Sequence, residues 1–152
     1  MKHPTHSDEI TFRRSESLRR LAWFRYRLRR FIRFSERVSR SFGITPQQHQ
    51  LLLGVEGYTG RGWATISELA EFLQGRHNAV VGLVQRAAQR GLVRKVQSSR
   101  DRRFVRVHLT RKGSTILDRI SRKNIAELRA LQFEIMQTPQ PRPRDIPAAQ
   151  GT

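Results

Sequence analysis

The sequence predicts a mainly α protein with one small β-hairpin, and three observations predict it. Two short consecutive segments repeat apolar residues at helical spacing, two segments of alternating polarity follow them directly, and longer helical patterns lie on either side. At 152 residues the chain is long enough for one domain with a real core and short for two independent ones.

Residues 1–12 lack periodic apolar positions and read as a flexible arm, where His3 and His6 are incidental rather than metal ligands. Residues 13–42, Arg13 to Phe42, read as one long helix. Leu18, Leu21, Phe24, Leu28, Phe31, Ser35, Val38 and Phe42 are spaced by threes and fours, a near-heptad stripe. A helix of about 30 residues spans about 45 Å. That outreaches a small domain, so part of the stripe is expected to pack on a second copy of the chain. Eleven arginines stand along this segment against two acids, Glu16 and Glu36. A solvated face accounts for mixed charges but not for this excess, which is tolerated more easily beside phosphate or an acidic partner.

Gly43 ends that helix, and Thr45-Pro46-Gln47-Gln48 starts the next with a capping hydroxyl, a proline at the first position and a glutamine at the third. It is expected to run to about Tyr58 and to bury Leu51, Leu52 and Val55. His49, on the same helix, reads as structural. Gly54, Gly57, Gly60 and Gly62 loosen its end, and Trp63-Ala64 are placed as a short strand beside the hairpin.

Thr65 and Glu68 form an S/T-x-x-E capping box, followed by Ile66, Leu69, Ala70 and Leu73 at helical spacing. After a break at Gln74-Gly75, Val80, Leu83, Val84 and Ala87 repeat the period, and Gly91 stands where a helix-terminating glycine is expected. Two short amphipathic helices joined by a tight turn form the helix-turn-helix pattern, whose second helix lies in the DNA major groove. Its free face carries Arg76, His77, Asn78, Val81, Gly82, Gln85 and Arg86. Arginine and asparagine can make bidentate contacts to guanine and adenine, and Gly82 lets the helix backbone approach closely. Arg76 at the helix start offers no capping hydroxyl, a loss of about 1 kcal/mol.

LVRKV and FVRVHL then alternate around a polar tip, Gln97 to Arg103, so a hairpin with a loop longer than two residues is expected. The tip holds Arg100, Arg102 and Arg103, a density that favours a phosphate backbone or a narrow minor groove. Residues 63–110 are thus the expected DNA-binding winged helix. Thr110 caps a last helix over residues 111–137, whose Ile116, Leu117, Ile120, Ile125, Leu128, Leu131, Phe133 and Ile135 exceed one stripe and again point to a partner helix. The candidate dimerisation residues are Leu18, Leu21, Phe24, Leu28 and Phe31 with Leu128, Leu131 and Ile135. Residues 138–152 hold four of the six prolines and read as a disordered Pro-rich tail.

ISELAEFL, RHNAVVGLVQRAAQRGLVRK, and the Asp101-Arg102-Arg103 tip followed by Leu109-Thr110 resemble the winged helix of the MarR (multiple antibiotic resistance regulator) family. The resemblance covers roughly residues 14–136. It implies a mainly α fold with a hairpin wing, flanked by N- and C-terminal dimerisation helices at 13–42 and 111–137. It implies that Arg76 to Asn78 read bases, Arg103 enters the minor groove and Asp101 braces the wing. It further implies a homodimer on a pseudo-palindromic operator, released by a small aromatic or anionic ligand between the dimer helices and the winged domains. Family members usually have a longer helical C-terminus, so the weight of the interface is expected on the first helix.

Composition narrows the function independently. Lys and Arg number 30 against 12 Asp and Glu, a formal net charge of +18, with a sequence pI near 11.9. A polyanion partner is implied, and double-stranded DNA leads. The alternative reading is a weakly specific architectural DNA binder. No membrane span or signal-peptide pattern is present, so a cytoplasmic, nucleoid-associated protein without a membrane partner is expected. The absence of cysteine excludes disulfides, thiolate metal sites and thiol redox sensing. No phosphate loop, H-E-x-x-H or nucleophile constellation appears, so no catalytic residue, metal or cofactor is expected.

Overall fold

The computed structural model describes residues 6–97 and 104–137, with side chains described for 14–97 and 104–133. Along the chain stand α1 (His6–Ser41), α2 (Pro46–Leu53), a π-helical turn (Gly54–Tyr58), β1 (Trp63–Thr65), α3 (Ile66–Phe72), α4 (His77–Gln89), β2 (Val93–Gln97), β3 (Val105–Leu109) and α5 (Arg111–Gln137). This is the expected winged helix-turn-helix between two long helices. One boundary differs: α1 begins at His6, so residues 6–12, read from sequence as an arm, are helical. An established helix gains one hydrogen bond for each residue added and can extend without a buried stripe to guide it. Residues 1–5 and the expected tail at 138–152 lie outside the described residues.

The chain divides into two compact units, one of residues 34–125 and one of residues 1–33 with 126–152. In the first, the fully buried side chains include Leu51, Leu52 and Val55 after the start of α2, Leu69 of α3, Val84 and Ala87 of α4, Val107 of β3 and Ile120 of α5. Each contributes on the order of 1.5–3 kcal/mol for a side chain the size of Val or Leu, and together they fix α3 and α4 on the sheet. The second unit leaves Leu18, Leu21, Phe24 and Leu28 of α1 and Leu128 of α5 exposed.

Capping chemistry sets the element boundaries. Thr45 Oγ1 accepts from Gln48 N–H at 3.1 Å, and Gln48 Oε1 accepts from Thr45 N–H at 3.1 Å, a reciprocal box that starts α2. At the end of α4, Gly91 adopts φ 69°, which lets Leu92 N–H reach Ala87 C=O at 2.9 Å and Gly91 N–H reach Ala88 C=O at 2.9 Å. The buried Leu92 then seals the turn into β2. The corresponding turn after α3 uses Gln74 at φ 49° rather than a glycine.

The sheet is antiparallel in the order β1-β3-β2. Ala64 pairs with Val107, and Val107 with Lys95, while Trp63 pairs with His108 and His108 with Arg94. Ala64 and Val107 are fully buried, so their neighbours Trp63, Arg106 and His108 occupy the outer face. Thr110 Oγ1 accepts from Gly113 N–H at 3.0 Å to start α5 and donates to Gly91 C=O at 2.6 Å. Gly113 is required there, because a Cβ on it would overlap the Leu92 carbonyl oxygen.

Candidate nucleic-acid interface

The helix pair is positioned from its first residue. Thr65 Oγ1 accepts from Glu68 N–H at 3.3 Å, and Thr65 N–H donates to Glu68 Oε2 at 2.8 Å. Arg61 Nη2 donates to Glu68 Oε1 at 2.6 Å. The Thr65 backbone donor, helped by Arg61, holds the Glu68 carboxyl below its ordinary range, so the cap stays ionised through neutral pH. Leu69 anchors α3, and α4 buries Val80, Leu83, Val84 and Ala87 against the same core.

Burial of that stripe decides what α4 presents. Arg76, His77, Asn78, Val81, Gln85 and Arg86 are all exposed, and Gly82 is half-buried. The seven candidates therefore share the solvent side of one helix. Arg76 sits at the N-cap in an extended conformation with no side-chain capping bond, leaving the first-turn N–H groups of α4 without a cap. A Cβ at Gly82 would meet only Arg86 Nη1, at 3.3 Å, the movable end of a flexible side chain. Packing within this chain does not demand the glycine, in keeping with a role at the outer surface.

The wing strands are in place, but the expected tip contacts Arg100, Asp101, Arg102 and Arg103 lie outside the described residues. On the outer sheet face a cluster appears that sequence reading missed. Arg61 Cζ lies 3.9 Å and Arg106 Cζ 4.6 Å from the Trp63 ring centroid, and the His108 ring lies 6.4 Å from it. Burial first, then the charges of Arg94 and Arg106, hold the His108 imidazole below its ordinary value. A signal was available: in FVRVHL, Arg106 and His108 alternate with Val105, Val107 and Leu109, which sends the two basic residues to one face.

Among the dimerisation candidates, Leu18, Leu21, Phe24, Leu28 and Leu128 are exposed, 57% in the case of Leu18. Phe31 and Leu131 are half-buried and line a small depression with Arg27, Arg30 and Glu127. The Ile135 side chain lies outside the described residues. His49, expected to be structural, is 1% exposed inside the winged helix. Among the described residues no helix is long and apolar enough to cross a membrane. No group of His, Asp and Glu there could hold a metal ion.

Comparison with known proteins bears on this arrangement. A family model described as MarR family matches residues 42–103, which take in α2, the helix pair, β2 and the wing tip. A search of curated protein sequences found no match. Among solved structures, AbsC, a MarR family transcriptional regulator from Streptomyces coelicolor, superposes with a TM-score of 0.62 at 18% identity, covering 91% of this chain and 86% of its own. A MarR family protein from Bacillus stearothermophilus gives 0.63 at 24% identity, covering 81% of this chain and 80% of its own. A Staphylococcus aureus MepR mutant bound to an oligodeoxyribonucleotide gives 0.60 at 19% identity, covering 77% of this chain and 82% of its own. At these identities the structural matches show the shared fold. The family model falls on the same helices and strands that carry the site, and over residues 42–103 the chain is similar to the MarR family.

Proposed function

We propose that this protein is a sequence-specific double-stranded DNA-binding transcription regulator that acts as a homodimer on a pseudo-palindromic operator. The observation that carries the reading is the exposed face of α4, where Arg76, His77, Asn78, Gln85 and Arg86 stand opposite a fully packed apolar stripe. Arg76 and Asn78 are the side chains for bidentate recognition of guanine and adenine edges, and the uncapped first turn supplies backbone donors for a phosphate. Arg103, with Arg100, Arg102 and Asp101, completes the wing contact in the flanking minor groove. The DNA-bound MepR structure supports this assignment for a chain of the same fold.

Dimer formation buries Leu18, Leu21, Phe24, Leu28 and Phe31 of α1 with Leu128, Leu131 and Ile135 of α5 against a second copy. Two recognition helices related by a two-fold axis then meet half-sites about one helical turn apart. A small aromatic or anionic ligand lodged between the dimer helices and the winged domains shifts the dimer toward a spacing that no longer fits the groove. The protein works as a binding protein rather than an enzyme, in the cytoplasm with the nucleoid DNA.

The net charge of +18 favours a second reading, a weakly specific architectural DNA binder. The affinities for the best duplex selected from random DNA and for a scrambled duplex of equal length, at physiological salt, separate the two. A ratio of about 10³ or more establishes a specific regulator, and a two-fold symmetric selected site supports the dimer. A ratio near one makes the chain an architectural binder.

A further inference from the structure

The outer face of the three-stranded sheet is built from residues that belong neither to the recognition helix nor to the wing tip. Antiparallel register lines up Trp63, His108 and Arg94 across β1, β3 and β2, and Arg106 lies on the same face two residues before His108. Arg61 and Arg106 both stack on the Trp63 ring. Their charges are not treated alike. Arg61 is neutralised by Glu68 at 2.6 Å, whereas Arg94 and Arg106 have no carboxylate partner among the described residues.

A guanidinium that stacks through its flat side keeps its edge N–H donors free and gives up little further freedom when an oxyanion arrives. Arg106 is held in this way, and Arg94 stands one strand away, where adjacent strands are separated by about 4.8 Å. One guanidinium held over an indole and a second, exposed one on the neighbouring strand, both unneutralised, match the oxygens of a phosphate backbone. The alternatives fit less well. A membrane surface calls for several bulky apolar residues on the same face, and here the exposed ones are Val96 and, just before β3, Phe104, set among Arg61, Arg94 and Arg106. β2 begins four residues after the end of α4 at Gln89 and leads directly to the arginine-rich tip, so the polyanion nearest this face is the duplex that α4 engages.

We propose that Arg94 and Arg106, set on the outer sheet face beside Trp63, bind backbone phosphates of the DNA strand flanking the groove that α4 reads, as a sequence-independent anchor. The inference rests on the DNA-binding reading above. It assigns to the wing strands a part of the affinity that is separate from base recognition by α4.

The test is the dependence of DNA affinity on salt for the full-length protein, Arg94→Gln, and Arg94→Gln/Arg106→Gln. Each lost phosphate contact lowers the slope of log affinity against log salt by about 0.9. In a homodimer each substitution removes two contacts, so the single variant is expected to lose about 1.8 and the double variant about 3.6, with the ratio of selected to scrambled duplex unchanged and the slope restored in Arg94→Lys/Arg106→Lys. Arg94→Gln touches no described partner, so it remains informative even if loss of the Trp63 stack loosens the wing. An unchanged slope in both Gln variants overturns the proposal, as does a changed selectivity ratio, which would make these residues base readers. An unchanged DNA slope accompanied by loss of sedimentation with phosphatidylglycerol vesicles would assign the face to membrane and overturn it too. Failure of the wild-type protein to bind any duplex is a separate result, which removes the DNA-binding reading itself.

Discussion

Arg90 Nη1 donates to Gln48 Oε1 at 3.0 Å, while Arg90 Nη2 donates to the Gly43 carbonyl at 2.6 Å. One side chain thus ties the C-terminal end of α4 to the first turn of α2, across forty-two positions of sequence. Gln48 Oε1 is also the acceptor in the Thr45 capping box, so the bond joins two helix termini rather than two loose side chains. Arg90→Ala is expected to lower unfolding free energy by about 1–2 kcal/mol. Arg90→Lys should recover only part of that, because an ammonium cannot reproduce the two-donor fork. Chemical denaturation of the two variants checks both statements, and equal stability of Arg90→Ala and the parent would remove the tether from the account.

Gly113 carries a sharper demand. Its Cα faces the Leu92 carbonyl, which accepts from Thr110 N–H at 3.1 Å at the junction of β2 with α5. Gly113→Ala must push one backbone segment away from the other, and a loss of about 1–3 kcal/mol is expected. A thermal midpoint equal to that of the parent would show that the junction yields without strain.

His49 makes stability depend on pH. Burial holds its imidazole below the ordinary value of 6.5, and its Nε2 has no protein partner among the described residues. The unfolded chain therefore binds more protons than the folded one as pH falls below about 6.5, and the stability present above that value declines. His108 is shifted in the same direction but is more exposed, so its share is smaller. Thermal midpoints are expected to fall from pH 7.5 to pH 5.5, and His49→Gln should flatten the profile. A profile of the same steepness in that variant would place the titrating group elsewhere.

The exposed stripe of α1 predicts a change of assembly rather than of fold. Leu21 and Leu28 are 54% and 41% exposed, so replacing both with glutamate leaves the packed winged helix untouched. Sedimentation equilibrium should report a monomer with an unchanged far-ultraviolet circular dichroism spectrum. A double variant that remains dimeric moves the interface onto α5.

The winged helix was legible because its signals are local. The Thr65-x-x-Glu68 box, the threes and fours from Val80 to Ala87, and Gly91 lie within single helices, where the rise of the backbone fixes which residues share a face. Those same positions place Arg76, His77, Asn78, Gln85 and Arg86 on the open side. The helical state of residues 6–12 was not legible, since continuation of an established helix needs no apolar pattern. The outer-face cluster was legible only in part. The alternation of Arg106 and His108 was visible, but their juxtaposition with Trp63 and Arg94 depends on strand register.

By itself the sequence determined the class of element across the winged helix, the excess of basic charge, and the face of α4 left open to solvent, because periodicity and composition act over a few residues. Only the tertiary structure decided that Arg90 would meet Gln48, that Gly113 would lie under Leu92, that His49 would be sealed in the core, and that Arg106 would stack on Trp63. Each of these joins residues far apart in the chain. Such pairs form where packing brings whole elements together, and no local spacing encodes that distance.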